Sequence, residues 1–297
     1  MKNPVLSVVI PSWNSESQMK QNLSYVYKAA SRAGAEIVVV DDASKFDSSW
    51  AYLKTQVGSL RAYRNSKNLG FSATVNRGVK LAKGRIVILL NTDVRPSVDC
   101  FVNCLQVFKD NDVFAVGFNS GEAWMGGEWK EGLFHHFKVE PTKKEKDLSP
   151  SLWASGGQAA FDKQKWLALG GMNLLYKPFY WEDTDLGYSA WKRGFKVVWS
   201  PKCRVVHDHQ KSVIANNFTK EFVLETAQRN QFLFVWKNIS DPAYLMNHIL
   251  KIPSFLIHYP RPFINALFKL PEVLRQRALH KKYWVRSDRE ILQLWER

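Results

Sequence analysis

Short apolar runs alternate with amphipathic stretches along the first ninety residues. Leu6–Ile10, Glu36–Val40 and Arg85–Leu90 are built almost entirely of Val, Ile and Leu, the pattern of strands buried on both faces. Ser15 to Ala33 sets Leu23, Val26 and Tyr27 on one side of a helix, and Ser72 to Ala82 reads as a second helix stopped at Gly84. Arg61–Arg64 is a further short strand, and Asn68–Phe71 a turn. Strands alternating with helices predict an α/β fold with a mostly parallel central sheet flanked by helices.

The polar residues that end these strands carry the first hint of chemistry. The three long runs stop at Pro11–Asn14, at Asp41–Asp42 and at Asn91–Asp93. Parallel strands bring all three ends to one sheet edge, where open α/β sheets bind ligands. Two acidic ends on that edge invite a cation, and a cation invites a phosphate.

The pattern loosens over residues 119 to 150. Gly121, Gly126, Gly127 and Gly132 punctuate Trp124, Trp129 and Phe134, and a charged stretch follows from Lys138 to Asp147. This predicts an irregular loop, either a lid on the acceptor side or a surface excursion. Order resumes at Trp153–Gly157, with a helix from Lys163 to Gly170.

The densest signal is Trp181-Glu182-Asp183-Thr184-Asp185-Leu186-Gly187. Three carboxylates crowd into four positions behind Tyr176, Phe179, Tyr180 and Trp181, and lead into a helical pattern. A core avoids clustered acids because unpaired buried charge is costly. The helix macrodipole accounts for one or two acids at an N-terminus, and a general base beside an anionic substrate accounts for the cluster. A strand at Lys196–Trp199 and a segment from Cys203 to Val206 then lead to His207-Asp208-His209.

Composition narrows the classes. The 297 residues carry 42 Lys and Arg against 27 Asp and Glu, a formal charge of +15, so the protein seeks polyanions. No G-x-G-x-x-G follows the first strand, which excludes a dinucleotide-dependent oxidoreductase. No RNA- or DNA-binding signature is present, so nucleic acid is not expected as a partner. Three cysteines without a C-x-x-C argue against a disulfide framework or a zinc site. The charged start gives no sign of an export signal, and the expected location is cytoplasmic.

From residue 216 the character changes, so the expected division is 1–215 and 216–297. The second part is a basic, partly amphipathic helical region. Residues 243 to 268 are apolar but broken by His248, Lys251, Pro253, His258, Pro260, Arg261 and Pro262, too interrupted for a spanning helix. Two readings stay open. The region lies peripherally on the inner face of an anionic membrane, or it packs back on the main domain.

Together these segments resemble family 2 glycosyltransferases of the GT-A fold. The matching stretches are LSVVIPSWNS from residue 6, IVVVDDAS from 37, NLGFSATVNRGVKLAKG from 68, IVILLNTDV from 86, GGMNLLYKPFYWEDTDLGYSAWKRGF from 170 and VVHDHQKS from 205. Within the family they look most like bacterial rhamnosyltransferase-like enzymes of O-antigen and cell-wall glycans. The resemblance implies an inverting transfer from a nucleotide-diphosphate sugar, UDP or dTDP rather than GDP, to a glycan or lipid-linked acceptor in polysaccharide biosynthesis.

It also implies roles. Pro11, Trp13 and Asp42 would hold the base and ribose, with Asp41 either beside them or serving its own turn. Asn68, Gly70 and Phe71 would line the same pocket, faced by Asn76 and Arg77. The family's D-x-D reads Asn91-Thr92-Asp93, so an amide replaces the first acid. Asp93 and His207 would bind Mn²⁺ or Mg²⁺, with His209 and Lys211 near the diphosphate. Gly156 and Gly157, next to Ser155, would let the donor sugar approach the backbone. Asp183 would be the general base, Glu182 would orient the acceptor, and Trp181 and Tyr180 would stack on sugar. Asp185 would cap the helix or pair with Arg193. Asn91 also motivates a second expectation, a relative that keeps the nucleotide pocket without turnover.

Overall fold

The computed structural model describes residues 5–56, 60–121, 124–139, 147–208 and 218–295. The chain begins with β1 (Leu6–Ser12), α1 (Glu16–Ala33), β2 (Glu36–Asp41), α2 (Ser49–Thr55), β3 (Arg61–Arg64), α3 (Phe71–Leu81) and β4 (Ile86–Leu90). It continues through β5 (Val94–Pro96), α4 (Cys100–Val107), β6 (Val113–Asn119), β7 (Trp124–Lys130), β8 (Leu133–Val139) and β9 (Ser149–Pro150). Then come β10 (Gln158–Asp162), α5 (Lys163–Leu169), α6 (Glu182–Lys192) and β11 (Lys196–His207). Among the described residues six helices follow: α7 (Lys220–Asn238), α8 (Pro242–Leu250), α9 (Ile252–His258), α10 (Pro260–Leu267), α11 (Leu270–Lys281) and α12 (Asp288–Leu292).

One sheet runs in the order β3-β2-β1-β4-β10-β6-β11-β5, with β9 beside β11. β3, β2, β1 and β4 are parallel neighbours. β10 runs antiparallel between β4 and β6, and β6 is again parallel to β11. The apolar strands divide by the two-residue period. Leu6, Val8 and Ile10 face the side covered by α1 and α4, while Val9 joins the core beneath α3, α5 and α6. Cys100, Cys104 and Cys203 are buried free thiols on the α1–α4 side.

The region expected to be an irregular loop is in part a hairpin. β7 and β8 pair antiparallel from Trp124↔Val139 to Lys130↔Leu133. Its glycines misled because their function is packing. A Cβ on Gly126 would lie 2.6 Å from the Phe137 ring, and one on Gly127 2.7 Å from the Phe134 ring. The rings occupy the room that missing side chains leave. Of the charged stretch that follows, residues 140–146 lie outside the described residues.

The helices after residue 216 share a core with the sheet. Phe232, Leu233, Phe234 and Val235 of α7 are all fully buried, and with Phe263 of α10 and Val273 of α11 they join the cluster that contains Val9 and Val38. Their inner faces thus pack back on the main domain, while Leu250, Ile257 and Phe268 on their outer faces stay exposed. Among the described residues no helix is long and apolar enough to cross a membrane.

Candidate active site

The parallel register sets Ser12 opposite Asp41 and Asp41 opposite Arg64, so the loops after β1, β2 and β3 share an edge. Asn14 and Ala43 have positive φ there, 48° and 58°, a conformation that costs a non-glycine residue about 1–3 kcal/mol. The loops interlock to hold it: the Asn14 N–H donates to Ser44 Oγ at 2.8 Å, and Asn14 Oδ1 accepts from Lys45 N at 3.0 Å.

The two adjacent acids divide their tasks. Asp41 accepts from Ser44 N at 3.2 Å and Ser44 Oγ at 2.5 Å, and pairs with Arg64 Nε at 3.2 Å. Its carboxylate is therefore used within its own turn. Asp42 accepts from Asn65 Nδ2 at 2.6 Å, Leu69 N at 2.8 Å and Gly70 N at 2.9 Å, shaping the turn that starts α3. Gly70 has φ 84°, which suits glycine. Pro11, Trp13 and Phe71 are half-buried beside this turn and strand edge, and Asn68 is exposed on it. Asn76, expected at the nucleotide, uses both ends of its amide on the Met172 peptide, at 2.7 and 2.9 Å.

At the end of β4, Asn91 N donates to Gly157 O at 2.8 Å. A Cβ on Gly157 would collide with the Asn91 amide, and one on Gly156 with Met172. Both glycines are thus required by close approach. Thr92 turns the chain, and its carbonyl accepts from Asn22 Nδ2 at 2.8 Å.

β5 then pairs antiparallel with the end of β11, Val94 opposite His207. This brings His207 Nε2 to 3.5 Å from Asp93 Oδ1. That oxygen is buried and has no hydrogen bond among the described residues. A carboxylate and an imidazole suit a divalent cation, with the remaining positions left to phosphate and water. His209 and Lys211 lie outside the described residues.

The acidic cluster opens α6. Tyr180 and Trp181 both have positive φ, 69° and 76°. The exposed ring is Tyr180, at 42%. Trp181 turns inward to 7% exposure, 5.1 Å from the Phe234 ring and 5.5 Å from His136, so its faces are taken by protein. Half-buried Asp183 accepts from Thr184 N at 2.8 Å. Burial raises its pKa, and the N–H groups of Thr184, Asp183 itself and Gly156 partly offset that rise. Glu182 is 8% exposed, and its Oε2 has no hydrogen bond among the described residues. Burial, then the neighbouring Asp183 charge, pushes its pKa up to about 8. At neutral pH the site sets a protonated Glu182 beside Asp183, the split that separates a hydrogen-bond donor from a base.

Asp185 neither caps the helix nor pairs with Arg193. It points into the core, where it pairs with Lys237 Nζ at 2.7 Å and accepts from Tyr176 Oη at 2.8 Å and Asn238 Nδ2 at 2.6 Å. Arg193 instead donates to Ala168 O at 2.8 Å. At the far end of α6, Lys192 pairs with Asp288 at 2.6 Å, both fully buried. One more residue shapes the site. Asn230 Nδ2 lies 2.7, 3.0 and 2.9 Å from the carbonyls of Tyr176, Phe179 and Tyr180. Polar residues inside the apolar run Asn230–Asn238 were the available sign that this helix has buried polar partners.

The fold has well-known counterparts. A crystal structure of GalNAc-T7 with UDP, GalNAc and Mn²⁺ superposes with TM-score 0.67 at 19% identity, over 95% of this chain and 58% of that one. Staphylococcus aureus TarS in complex with UDP-GlcNAc gives 0.60 at 14%, over 98% and 89%. In sequence, the dolichol-phosphate mannosyltransferase of Pyrococcus furiosus is 28% identical over 114 residues, 38% of this chain and 32% of its own. N-acetylgalactosaminyltransferase 7 of Mus musculus is 25% identical over 240 residues, 68% and 35%. The chain thus spans about a third of the length of these curated relatives. The profile described as "Glycosyl transferase family 2" matches residues 7–169, more than half of the chain, and the protein belongs to that family.

Proposed function

We propose that this protein is an inverting glycosyltransferase that moves a sugar from a UDP- or dTDP-sugar to a hydroxyl of a glycan or lipid-linked acceptor in polysaccharide biosynthesis. The observation that carries the reading is the acid pair of α6: a half-buried Asp183 carboxylate held by backbone N–H groups, beside a buried Glu182 whose pKa is pushed up to about 8. Structural neighbours that hold UDP with Mn²⁺, UDP-GlcNAc, or GDP-Man with Mn²⁺ support a nucleotide-sugar donor.

In this mechanism the loops after β1 and β2 hold the nucleotide. Asp42 Oδ1 is filled by Asn65 and Leu69, but Oδ2, which accepts from Gly70 N, has a second acceptor position that suits a pyrimidine N–H or a ribose hydroxyl. The room left by the missing side chains of Gly156 and Gly157 is filled by Met172 and Asn91, so these glycines serve the donor site by seating Asn91 at its edge. Asp183 takes the proton of the acceptor hydroxyl as that oxygen attacks the anomeric carbon. The bond from that carbon to the diphosphate oxygen breaks on the opposite side, and the nucleoside diphosphate leaves. Protonated Glu182 orients the acceptor by donating a hydrogen bond. Asp93 and His207 would hold a divalent cation, which when bound neutralises charge on the leaving diphosphate. Lys211 follows closely enough in sequence to assist there. The enzyme works at the cytoplasmic side, in peripheral contact with an anionic membrane.

Turnover of Asp183→Asn against wild type tests this, with release of nucleoside diphosphate as the readout. Loss of a general base lowers kcat by about 10²–10⁴, with donor binding retained. Equal turnover in the variant defeats the assignment. Asn91 favours a second reading, a donor-binding relative without turnover; binding of a nucleotide sugar by wild type with no transfer to any acceptor would select it.

A further inference from the structure

Residues 242–271 contain no Asp or Glu, while Lys251, Arg261 and Lys269 fall among them. Arg261 pairs with Glu221 and Glu225 of α7 at 3.5 and 3.6 Å, which leaves Lys251 and Lys269 as the cations of this stretch that carry no ion pair among the described residues. The helices of this stretch are two-sided. Phe255 and Phe263 pack inward on Phe232 of α7, with ring centroids 5.2 and 5.1 Å apart. The opposite stripes are apolar and uncovered. On α8 and α9, Ile249, Leu250 and Ile257 are 56%, 71% and 74% exposed. On α10 and the residue after it, Ile264, Leu267 and Phe268 recur at i, i+3 and i+4, with Phe268 at 81%. Soluble surfaces leave single apolar residues exposed, but rarely a succession of this kind.

This face adjoins the turn that leads into Glu182 and Asp183. Lys269, the residue after Phe268, lies within electrostatic reach of Arg229. The Arg229 guanidinium donates to Lys177 O at 2.5 Å. Lys177 opens the turn through Tyr180 to Glu182 and Asp183. Neither Arg229 nor Lys269 makes an ion pair among the described residues.

From these contacts we infer that α8–α10 form a docking face for an anionic bilayer, with Leu250, Ile257 and Phe268 inserted among the acyl chains and Lys251 and Lys269 at the headgroups. The inference deepens the proposed transfer: the acceptor reaches Asp183 from the membrane surface, carried on a lipid. Charge selects the occupant. A second copy would set the unpaired Lys251 and Lys269 against themselves, whereas an anionic surface attracts both. Apolar stripes flanked by Lys and Arg are the pattern of helices that lie in the interface plane.

The test is co-sedimentation of the full chain with phosphatidylcholine vesicles, with and without phosphatidylglycerol. Wild type is expected to pellet with the anionic vesicles. Ile257→Asp/Phe268→Asp and, separately, Lys251→Glu/Lys269→Glu are expected to lower the bound fraction about tenfold or more. Ile257 and Phe268 are 74% and 81% exposed and Lys251 is exposed, and a thermal shift with UDP or dTDP equal to that of wild type verifies that both variants fold. Wild type staying in the supernatant overturns the inference. So do variants that pellet like wild type, or a wild-type dimer in sedimentation velocity that Phe268→Asp dissociates. The nucleotide arm keeps the two readings apart: vesicle binding with no nucleotide shift removes the transferase reading and leaves the docking face standing.

Discussion

Lys237 of α7 holds Asp185 of α6 through a fully buried ion pair, with Nζ 2.7 and 2.9 Å from the two carboxylate oxygens. Asp185 stands one turn from Glu182 and Asp183, so the helix that carries the proposed chemistry is seated by a residue from the C-terminal region. Removing one partner of such a pair leaves a buried charge without compensation, at a cost of about 3–5 kcal/mol. Lys237→Met is expected to lower unfolding free energy by that amount. Lys237→Met combined with Asp185→Asn should recover most of it, because a neutral pair needs no counter-charge. Denaturant titration of the three proteins reads this directly. A Lys237→Met protein within 1 kcal/mol of wild type would show that the pair does not seat α6.

Asn230 gives a second, independent check on the same turn. Its amide reaches three carbonyls of the Tyr176–Tyr180 segment, and the two residues that follow the proline turn, Tyr180 and Trp181, both sit at positive φ. That strain persists only where the surroundings over-determine it. Asn230→Ala leaves buried acceptors unsatisfied, at about 1–3 kcal/mol, and frees the turn. Faster hydrogen exchange at the amides of Trp181 to Asp185 is expected, with lower kcat and little change in donor affinity. Unchanged exchange there would mean that packing of Trp181 on Phe234 suffices.

What could be read in advance follows from the reach of each signal. Buried parallel strands announce themselves locally, so Leu6–Ile10, Glu36–Val40 and the polar ends Asp41–Asp42 and Asn91–Asp93 were legible, and the sheet edge followed from topology alone. The hairpin Trp124–Val139 was not, because its glycines act by admitting the Phe134 and Phe137 rings across the strands, a pairing that no local pattern announces. Trp181 was read as a sugar-stacking ring and Asp185 as a helix cap or partner of Arg193 for a similar reason. Their direction depends on two αL residues and on Lys237, 52 positions away. Long-range polar pairing leaves only a weak local trace, a lysine or asparagine inside an apolar helix.

Glu182 makes stability depend on pH. Its pKa is about 8 in the folded chain, against 4.5 ordinarily. Below about pH 4.5 both states are protonated and the residue contributes no pH dependence. As pH rises toward 8 the unfolded state loses this proton while the folded state keeps it, so stability falls across that window. The slope is up to about 1.4 kcal/mol per pH unit. Glu182→Gln removes the term. Its unfolding free energy should track wild type near pH 4.5 and exceed it increasingly toward pH 8, as measured by denaturant titration in a buffer series. Parallel curves for the two proteins would place the proton elsewhere. If the protonated acid also orients the acceptor, wild-type kcat/KM declines above pH 8 and the Gln variant, which still donates from its amide, declines less.

The cation is the sharpest remaining question, because Asn91 stands where the family pattern has an acid. Asp93 Oδ1 is buried without a hydrogen bond and faces His207 Nε2 at 3.5 Å, an arrangement that a metal with two protein ligands and phosphate oxygens would complete. A neutral Asn91 adds an oxygen but no charge, so affinity for free Mn²⁺ should be weak and should appear mainly with the nucleotide bound. The expected result is a thermal shift with UDP or dTDP that grows on adding Mn²⁺ and collapses with EDTA. A ligand at 100 times its Kd adds about 2.7 kcal/mol, a shift of several degrees for a chain of this length. Asp93→Asn and His207→Ala should each abolish the metal-dependent part and leave the metal-free shift in place. A nucleotide shift indifferent to EDTA in wild type would remove the cation from the mechanism. The developing diphosphate charge would then fall to cationic side chains, and Lys211 would be the residue to mutate next.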